Sequence, residues 1–278
     1  KVSWKDENGR EDNSGRVYIG LLDPAVSDQK QEIEIRCGDT VELYNGQSLK
    51  IAGLPIGEYE VREISGDAYV RLPHNGLANG PLWQHFASEA IFRNIPKGKL
   101  TIKKAIYEGG SPIPAGDPRE SDEFRFTVKF TDKQGNMLLG EYPDAYPYTK
   151  NEEEYTMPSE GGKIYPTVSN GGEFTLKHNE SITIHDLPAG AYYEVAEKKA
   201  EGYLSVPVKK GIVENSGTAS YLEIHNESGR DPENPEDPTP NHPGGGGGGG
   251  GGGGSDPKDP TPPPTETSPE TPSEEAAE

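Results

Sequence analysis

The chain has 278 residues, of which 30% are hydrophobic and 27% are charged, and acidic residues outnumber basic ones by 47 to 27. This length favours two domains of about 100 residues each, which is enough for each to bury its own core. A formal net charge of −20 repels nucleic acid and anionic membranes, so neither is expected as a partner. No run of 18 apolar residues occurs, so no membrane-spanning helix is expected.

Cys37 is the only cysteine, so an internal disulfide is excluded. We interpret it as a strand residue and not as a nucleophile, because none of the six histidines has an obvious pairing with it. The first residue is Lys1 and no signal peptide is recognisable. We interpret this start as that of a mature product or an excised fragment.

Short strand-like segments recur along the first 228 residues, whereas helix signals are weak. Turn sequences rich in Gly and Asn separate the segments. Many short strands with frequent turns predict an all-β fold of antiparallel, immunoglobulin-like sandwiches. The predicted strands are Arg16–Leu22, Glu32–Arg36, Val41–Leu43, Leu49–Ile51, Glu58–Ile64, Leu100–Ile106, Phe124–Phe130, Phe174–Leu176, Ile182–Ile184, Tyr192–Glu197 and Tyr221–His225.

The predicted strands belong to an internal repeat. Its two copies share their starts, their ends and a longer central segment, which aligns once one residue is inserted near Tyr192. We therefore predict two tandem β-sandwiches, residues 1–97 and residues 98–228, with a shortened first strand in the first copy. The matched segments are Lys1–Trp4 with Lys104–Tyr107, Val41–Glu63 with Phe174–Glu197, and Ile91–Asn94 with Glu223–Asn226.

Residues 229–278 differ in composition from the rest of the chain. They are rich in proline and acidic residues, and Gly244–Gly254 is an unbroken run of glycine. Such a segment cannot bury apolar surface. We predict a disordered tail whose Pro-rich parts are extended and whose glycines form a flexible joint. A cloning linker is the alternative interpretation of the glycines alone.

Three polar residues of the second copy are predicted to point into its sandwich. Because successive side chains alternate between the faces of a strand, Lys104 shares a face with Ile102, and Glu197 and Asn226 also share faces with apolar residues. A lone buried Lys, Glu or Asn is costly. The three are expected to meet, on the first, penultimate and last strands, where they could satisfy one another.

These three residues could also react with one another. Burial lowers the pKa of a lysine and raises that of a glutamate, so a neutral Lys104 amine would be a nucleophile and a protonated Glu197 could polarise the Asn226 amide. Attack on that amide would expel ammonia and leave a Lys–Asn isopeptide bond. The reaction is intramolecular and happens once per molecule, so we do not expect a multi-turnover enzyme. Ordinary polar edge residues are the alternative interpretation.

Both copies resemble the B-type repeat domains of Gram-positive collagen adhesins and pilins (Cna B-type domains). The resemblance rests on a strand lysine near the start and on a closing strand that ends in Asn. Between them lies a motif that runs Leu-Pro-x-Gly and then Tyr-x-Val-x-Glu, at Leu54–Glu63 and Leu187–Glu197. It covers about residues 1–228.

The resemblance implies a Lys–Asn isopeptide bond in each copy, promoted by an acidic residue. In the first copy the strand is short, and Lys5 is a weaker alternative to Lys1 because Val2 and Trp4 carry the apolar pattern. The implied cross-links are Lys104 with Asn226 and Lys1 with Asn94, and the implied catalytic acids are Glu197 and Glu63.

The resemblance also implies a function. The chain would be a structural stalk of an extracellular, cell-wall-anchored surface protein, holding an adhesive region away from the cell while the tail crosses the wall. Partners would be a host matrix or cell-surface ligand, bound by other parts of the protein, and peptidoglycan, reached through an anchor that the sequence up to Glu278 does not contain. No cofactor is expected. No metal is expected either, because the acidic turn Asp6–Asp12 lacks calcium-loop spacing and the histidines, interpreted as exposed, lack ligand spacing.

Two other functions remain open. The first is a host-ligand-binding module that uses an aromatic patch, although the same aromatic residues could instead cover the ends of the sandwiches. The second is a pilin subunit assembled by a sortase, which would need a reactive lysine outside the core. The candidate patch residues are Trp83, His85, Phe86, Tyr146 and Tyr148.

Overall fold

The computed structural model describes residues 1–24, 30–64, 68–156, 163–215 and 217–228. Within these ranges the chain consists of β-strands, connecting turns and a single 3-10 helical turn at Pro118–Ser121. No helix there is both long enough and apolar enough to cross a membrane. The predicted tail, residues 229–278, lies outside the described residues.

The strands confirm the all-β prediction. Those of the first copy are β1 (Val2–Asp6), β2 (Tyr18–Asp23), β3 (Gln31–Ile35), β4 (Ser48–Ile51), β5 (Gly57–Arg62), β6 (Tyr69–Leu72) and β7 (Leu77–Leu82). β8 (Arg93–Glu108) follows. Those of the second copy are β9 (Ser111–Pro112), β10 (Phe124–Thr131), β11 (Ala145–Lys150), β12 (Thr167–Ser169), β13 (Glu173–Leu176), β14 (Ser181–Pro188), β15 (Tyr192–Glu197), β16 (Lys209–Ile212) and β17 (Ser220–Glu227).

The first copy has two three-stranded antiparallel sheets, in the orders β1-β5-β7 and β3-β2-β4. Its main core cluster is small, because it contains only three fully buried apolar residues, Trp4, Tyr18 and Ile35. Trp4 packs edge-on against Tyr18, with 5.0 Å between the ring centroids. Other apolar side chains around this cluster are only partly buried.

The second copy has a larger core. One sheet has the order β13-β10-β15-β16, and the other has the order β12-β11-β14-β8-β17. Alternation along β10 buries Phe124, Phe126, Val128 and Phe130 on one face and leaves the residues between them more exposed. This face packs on the apolar residues of the other sheet, including Ile184, which is the layered arrangement expected of a β-sandwich.

β8 is continuous across the predicted domain boundary at residues 97 and 98. It pairs with β6 through Arg93–Pro96, then with β14, and finally with β17. The pairing of β8 with β17 is parallel, which departs from the purely antiparallel expectation because the first and last strands of the second copy run in the same direction. β8 and the neighbouring β17, together with β15 of the facing sheet, position the candidate site.

Some local predictions were wrong. Val41–Leu43 is not a strand, and Cys37 lies in the turn after β3, where its thiol contacts the backbone of Trp4. The structure also contains strands that the sequence analysis did not identify. Several of them contain proline or glycine, which weaken a strand signal although edge strands and bulges tolerate them. The missed strands are β6, β7, β9, β11, β12 and β16.

Candidate functional site

The strands of the second copy bring Lys104, Glu197 and Asn226 together. Lys104 lies on β8 and Asn226 on the neighbouring β17, where Ile224 is the register partner of Lys104. Glu197 ends β15, which belongs to the facing sheet. It is not on the penultimate strand, as the sequence analysis expected, because β16 lies between β15 and β17. The site thus joins the two sheets of the sandwich.

The three side chains form a closed set of contacts. The Lys104 amine donates a hydrogen bond to the Asn226 Oδ1 atom at 2.8 Å. The Asn226 Nδ2 atom donates to Glu197 Oε1 at 2.5 Å. The second carboxylate oxygen, Glu197 Oε2, lies 3.9 Å from the Lys104 amine. The amide of Asn226 therefore lies between the amine and the carboxyl group.

The site is dry. Lys104 is 0% exposed and Asn226 is 1% exposed, and the Glu197 side chain is 4% exposed. The Lys104 amine also donates to the Ala105 carbonyl oxygen at 2.8 Å, and it lies 4.1 Å from the centre of the Phe124 ring. An amine in such surroundings has lost most of its hydration, which disfavours its charged form.

The electrostatics of the pair follow from this burial. Desolvation lowers the pKa of Lys104 to about 8, although the negative charge of Glu197 opposes the shift. Desolvation raises the pKa of Glu197, against the hydrogen bond from Asn226 and the charge of Lys104. Both shifts favour the neutral forms, an amine and a carboxylic acid. Glu197 Oε2 has no hydrogen-bond partner, so it is free to carry or exchange that proton.

This arrangement can support an acyl transfer within the protein. A neutral amine beside the amide group is positioned as a nucleophile. A carboxyl group at the amide nitrogen is positioned to move a proton to the leaving group. The structure therefore brings an amine, an amide and a carboxyl group together inside one core.

In the first copy the structure brings together only two of the three predicted residues. The Asn94 Nδ2 atom donates to Glu63 Oε1 at 2.6 Å, as the equivalent atoms do in the second copy. Lys1 is exposed, and its backbone ammonium group donates to the Arg62 carbonyl oxygen. No hydrogen bond or ion pair within the described ranges joins the side chain of Lys1 or of Lys5 to Glu63 or Asn94.

Lys1 does not join Glu63 and Asn94 because β1 corresponds to a different strand of the second copy from the one that the sequence analysis assigned. β1 pairs with β5 by matching Val2 with Val61 and Trp4 with Tyr59, just as β10 pairs with β15 by matching Val128 with Val195 and Phe130 with Tyr193. β1 therefore corresponds to β10, and the match of Lys1–Trp4 with Lys104–Tyr107 was wrong.

A sequence signal for this correspondence exists. Asp6 and Gly9 recur at the same spacing as Asp132 and Gly135, where β1 and β10 end. In both turns the aspartate carboxylate accepts hydrogen bonds from backbone N–H groups two and four residues later. The turn sequence, and not the strand lysine, is the reliable marker of register here.

The other candidate residues do not form a common site. Trp83 and Phe86 are exposed, whereas Tyr146 is part of the second core. His178 and His185 are buried and not exposed as interpreted. Within the described ranges, no group of three or more His, Cys, Asp or Glu residues could hold a metal ion.

One family model matches the second copy. The family described as "Domain of unknown function (DUF7601)" matches residues 98–228. No curated protein matches the chain.

Similar solved structures include a pilus-presented adhesin and major pilins of Streptococcus pyogenes. One is a pilus-presented adhesin, at 20% identity and a TM-score of 0.30, with 49% of this chain and 28% of the adhesin covered. A major pilin matches at 17% identity and a TM-score of 0.33, covering 82% of this chain and 97% of the pilin. Another major pilin structure matches at 14% identity and a TM-score of 0.31, covering 78% and 94%. The chain thus spans little more than a quarter of the adhesin's length.

Proposed function

We propose that the chain is a stalk segment of a bacterial cell-surface protein, and that an isopeptide bond between Lys104 and Asn226 locks its second copy. The observation that carries this proposal is the contact of 2.8 Å between the Lys104 amine and Asn226 Oδ1 inside a core closed to water. Burial keeps that amine partly neutral near pH 7. The resemblance to collagen-adhesin B-type repeats supports the location at the cell surface.

The reaction proceeds in one direction and happens once per molecule. The neutral Lys104 nitrogen attacks the side-chain carbonyl carbon of Asn226, and a new C–N bond forms. Glu197 takes a proton from the attacking nitrogen and gives one to the Asn226 Nδ2 atom. The C–Nδ2 bond then breaks and ammonia leaves, so that the product is a Lys–Asn amide and an unchanged Glu197.

The position of the bond suits a mechanical role. It joins residues that are 122 positions apart on adjacent parallel strands, the first and last long strands of the second copy. A pulling force applied to β8 is transmitted to β17 directly through the cross-link. The strands between them then carry no load, which is what a stalk that holds an adhesive region requires.

The test is the intact mass of the purified chain and of matched variants. We expect the chain to have lost one ammonia, and Glu197→Ala, Lys104→Met and Asn226→Ala to keep their full mass. Lys103→Met is the matched control, because Lys103 neighbours the site but belongs to the other face of β8, and it should still lose one ammonia. A chain of full mass would refute the bond, and ammonia loss in Glu197→Ala would refute the role of Glu197.

The expected loss is one ammonia and not two. The first copy places Asn94 beside Glu63, but Lys1 is exposed, and within the described residues its side chain forms no hydrogen bond or ion pair with either. A second ammonia lost from the chain alone would contradict this geometry. Peptide mapping of a digest would show which asparagine had reacted.

A second candidate function is the binding of a partner through the segment between β7 and β8. It is favoured by the exposure of Trp83 and Phe86, since large aromatic residues are enriched at the centres of interfaces. Immobilised extracellular-matrix protein should then retain the chain, and the double substitution Trp83→Ala and Phe86→Ala should abolish retention. Equal retention of the variant would exclude this segment.

A further inference from the structure

We propose that Arg119 is a positioning residue for the Lys104–Asn226 bond, because its guanidinium group clamps the end of the strand that carries Asn226. Its part in the reaction rests on the proposed function, since it concerns the same bond. The clamp itself rests on hydrogen bonds that are independent of the reaction. Arg119 lies in the 3-10 turn Pro118–Ser121, and the sequence analysis did not single it out.

Asn226 lies near the end of its strand. β17 ends at Glu227, and its ladder with β8 ends at the pair of Glu227 with Tyr107. Strand ends fray because few neighbours hold them. A displacement of the Asn226 amide separates its carbonyl carbon from the Lys104 amine, and a misplacement of about 1 Å slows an intramolecular reaction by about 100-fold. The end of β17 must therefore be held in place for the reaction to proceed.

Separate parts of the fold hold the two residues that follow Asn226. Gly110, in the turn between β8 and β9, donates its backbone N–H group to Glu227 Oε1 at 2.8 Å. Arg119 Nη1 donates to Ser228 Oγ at 2.8 Å. A hydrogen bond from a charged donor is stronger than one between neutral groups. We therefore expect the contact from Arg119 to contribute most to holding this end.

The guanidinium group of Arg119 is itself fixed. Its Nε and Nη2 atoms donate to the two carboxylate oxygens of Asp117 at 2.8 and 2.7 Å, and Nη2 also donates to Glu108 Oε2 at 2.9 Å. These hydrogen bonds lower the pKa of Asp117 to about 2 and also lower the pKa of Glu108. Both carboxylates are thus charged at neutral pH, and the paired contact with Asp117 has a defined geometry. Arg119 joins the 3-10 turn, β8 and the end of β17.

The first copy shows what the clamp replaces. There, the residues around Asn94 are held by four consecutive pairs with β6. The counterpart of β6 is Tyr203–Val206, since each segment begins with a tyrosine six residues after the motif glutamate and is followed by proline. Within the described residues, this segment meets the end of β17 only at the isolated bridge of Tyr203 with Ser228 and at one neighbouring backbone hydrogen bond. Arg119 supplies the attachment that a full ladder supplies in the first copy.

Arg119 acts through the position of Asn226 and not through its own charge. The pKa shifts of Lys104 and Glu197 arise from desolvation and from contacts within the triad. Removal of the guanidinium group should therefore lower the reaction rate by the same factor at every pH. The midpoint of the pH–rate profile, which reports the pKa values of the reacting groups, should stay unchanged.

The test is the rate at which unlinked chain loses ammonia after dilution from denaturant into buffers on either side of pH 8, where Lys104 titrates. The intact mass at timed intervals gives the rate. Arg119→Met should react about 10- to 100-fold more slowly than the unmodified chain, because the Asn226 amide is displaced for more of the time. Ser121→Ala is the matched control, because Ser121 belongs to the same turn but its hydroxyl donates to Pro118 within that turn, and it should react at the unmodified rate.

A double-mutant cycle separates the clamp from a general loss of stability. Ser228→Ala removes the acceptor of the clamp and should slow the reaction by about three- to tenfold. Added to Arg119→Met, it should have no further effect, because both changes remove the same contact. Rates that fall by the product of the two single effects would overturn the proposal. A shifted midpoint of the pH–rate profile would do the same, and so would equal rates for Arg119→Met and the unmodified chain.

Hydrogen exchange separates the clamp from the chemistry. In Lys104→Met no bond can form, and the backbone N–H group of Ser228, which donates to the Tyr107 carbonyl oxygen at 2.8 Å, should exchange about tenfold faster once Arg119→Met is added. If the unmodified chain never loses ammonia, the proposed function fails and the role of Arg119 in the reaction fails with it, whereas faster exchange still establishes the clamp. If the chain loses ammonia but neither the rate nor the exchange depends on Arg119, the clamp is overturned and the cross-link remains.

Discussion

The substitution Glu197→Gln tests the chemistry and the energetics of the triad together. Glutamine has nearly the same size as glutamate and can still accept a hydrogen bond from Asn226 Nδ2, so the packing is kept. It cannot carry the proton that the reaction requires. We therefore expect a folded chain in which Lys104 and Asn226 remain in contact and remain unlinked.

The size of the effect follows from the loop that the bond closes. Lys104 and Asn226 are 122 positions apart, and by analogy with a disulfide such a closure removes about 5 kcal/mol of unfolded-state entropy. For a domain of this size, 1 kcal/mol shifts the melting temperature by about 4 °C. We expect the transition of the second copy to fall by about 20 °C in Glu197→Gln.

The assay is differential scanning calorimetry, with the intact mass recorded on the same samples. Glu194→Gln is the matched control, because Glu194 lies on the same strand but on its exposed face, where it pairs with Lys210. A surface ion pair of this kind contributes about 0–1 kcal/mol, so the control should melt close to the unmodified chain and should have lost ammonia.

Two results for Glu197→Gln would refute this reasoning. If Glu197→Gln retains its full mass and still melts with the unmodified, cross-linked chain, the bond contributes nothing to stability and the loop argument is wrong. If it loses ammonia as fast as the unmodified chain, a carboxyl group is not required for the reaction.

Three further expectations concern packing and pH. Ile184→Ala should cost about 2–5 kcal/mol because Ile184 is fully buried, whereas Ile51→Ala should cost clearly less in urea unfolding because Ile51 is half-buried; equal costs would contradict this difference in burial. In Glu197→Gln the charge that raises the pKa of Lys104 is gone, so the folded state loses the Lys104 proton below the value of about 8 that holds with Glu197 present. Stability should therefore rise with pH from below pH 8 towards pH 10.5, where the unfolded state still holds that proton, and adding Lys104→Met should remove this slope. Burial lowers the pKa of His185 to about 4, so stability should fall as the pH drops from 6.5 towards 4, and a melting-temperature series on His185→Gln should show a weaker decline.

The inward direction of the triad could be predicted from the sequence because a strand alternates its faces with a period of two. Once Tyr192–Glu197 is taken as a strand, Glu197 must share the face of Val195, and the structure has the same strand bounds. The same reasoning holds for Lys104 beside Ile102 and for Asn226. The distances between these three side chains could not be predicted from the sequence, because they depend on which strands pair.

The first copy shows where such reasoning stops. The alternation around Val2 and Trp4 fits several strands of a sandwich equally well, and a lysine near the start suggested the wrong one. Register with β5, a long-range pairing, decides between them. Only the turn at the end of β1 indicates from local sequence that β1 corresponds to β10, because Asp6 there repeats the role of Asp132.

The continuity of β8 has a consequence for how the two copies are joined. Its 16 residues extend over about 50 Å, and neighbouring strands bind its backbone from Arg93 to Glu108 in turn. Proteases grip their substrates as unpaired, extended chain. Residues 93–108, which join the copies, are paired with neighbouring strands. A protease can therefore cut there only after these strands have separated. The joint is thus as resistant to digestion as the bodies that it connects.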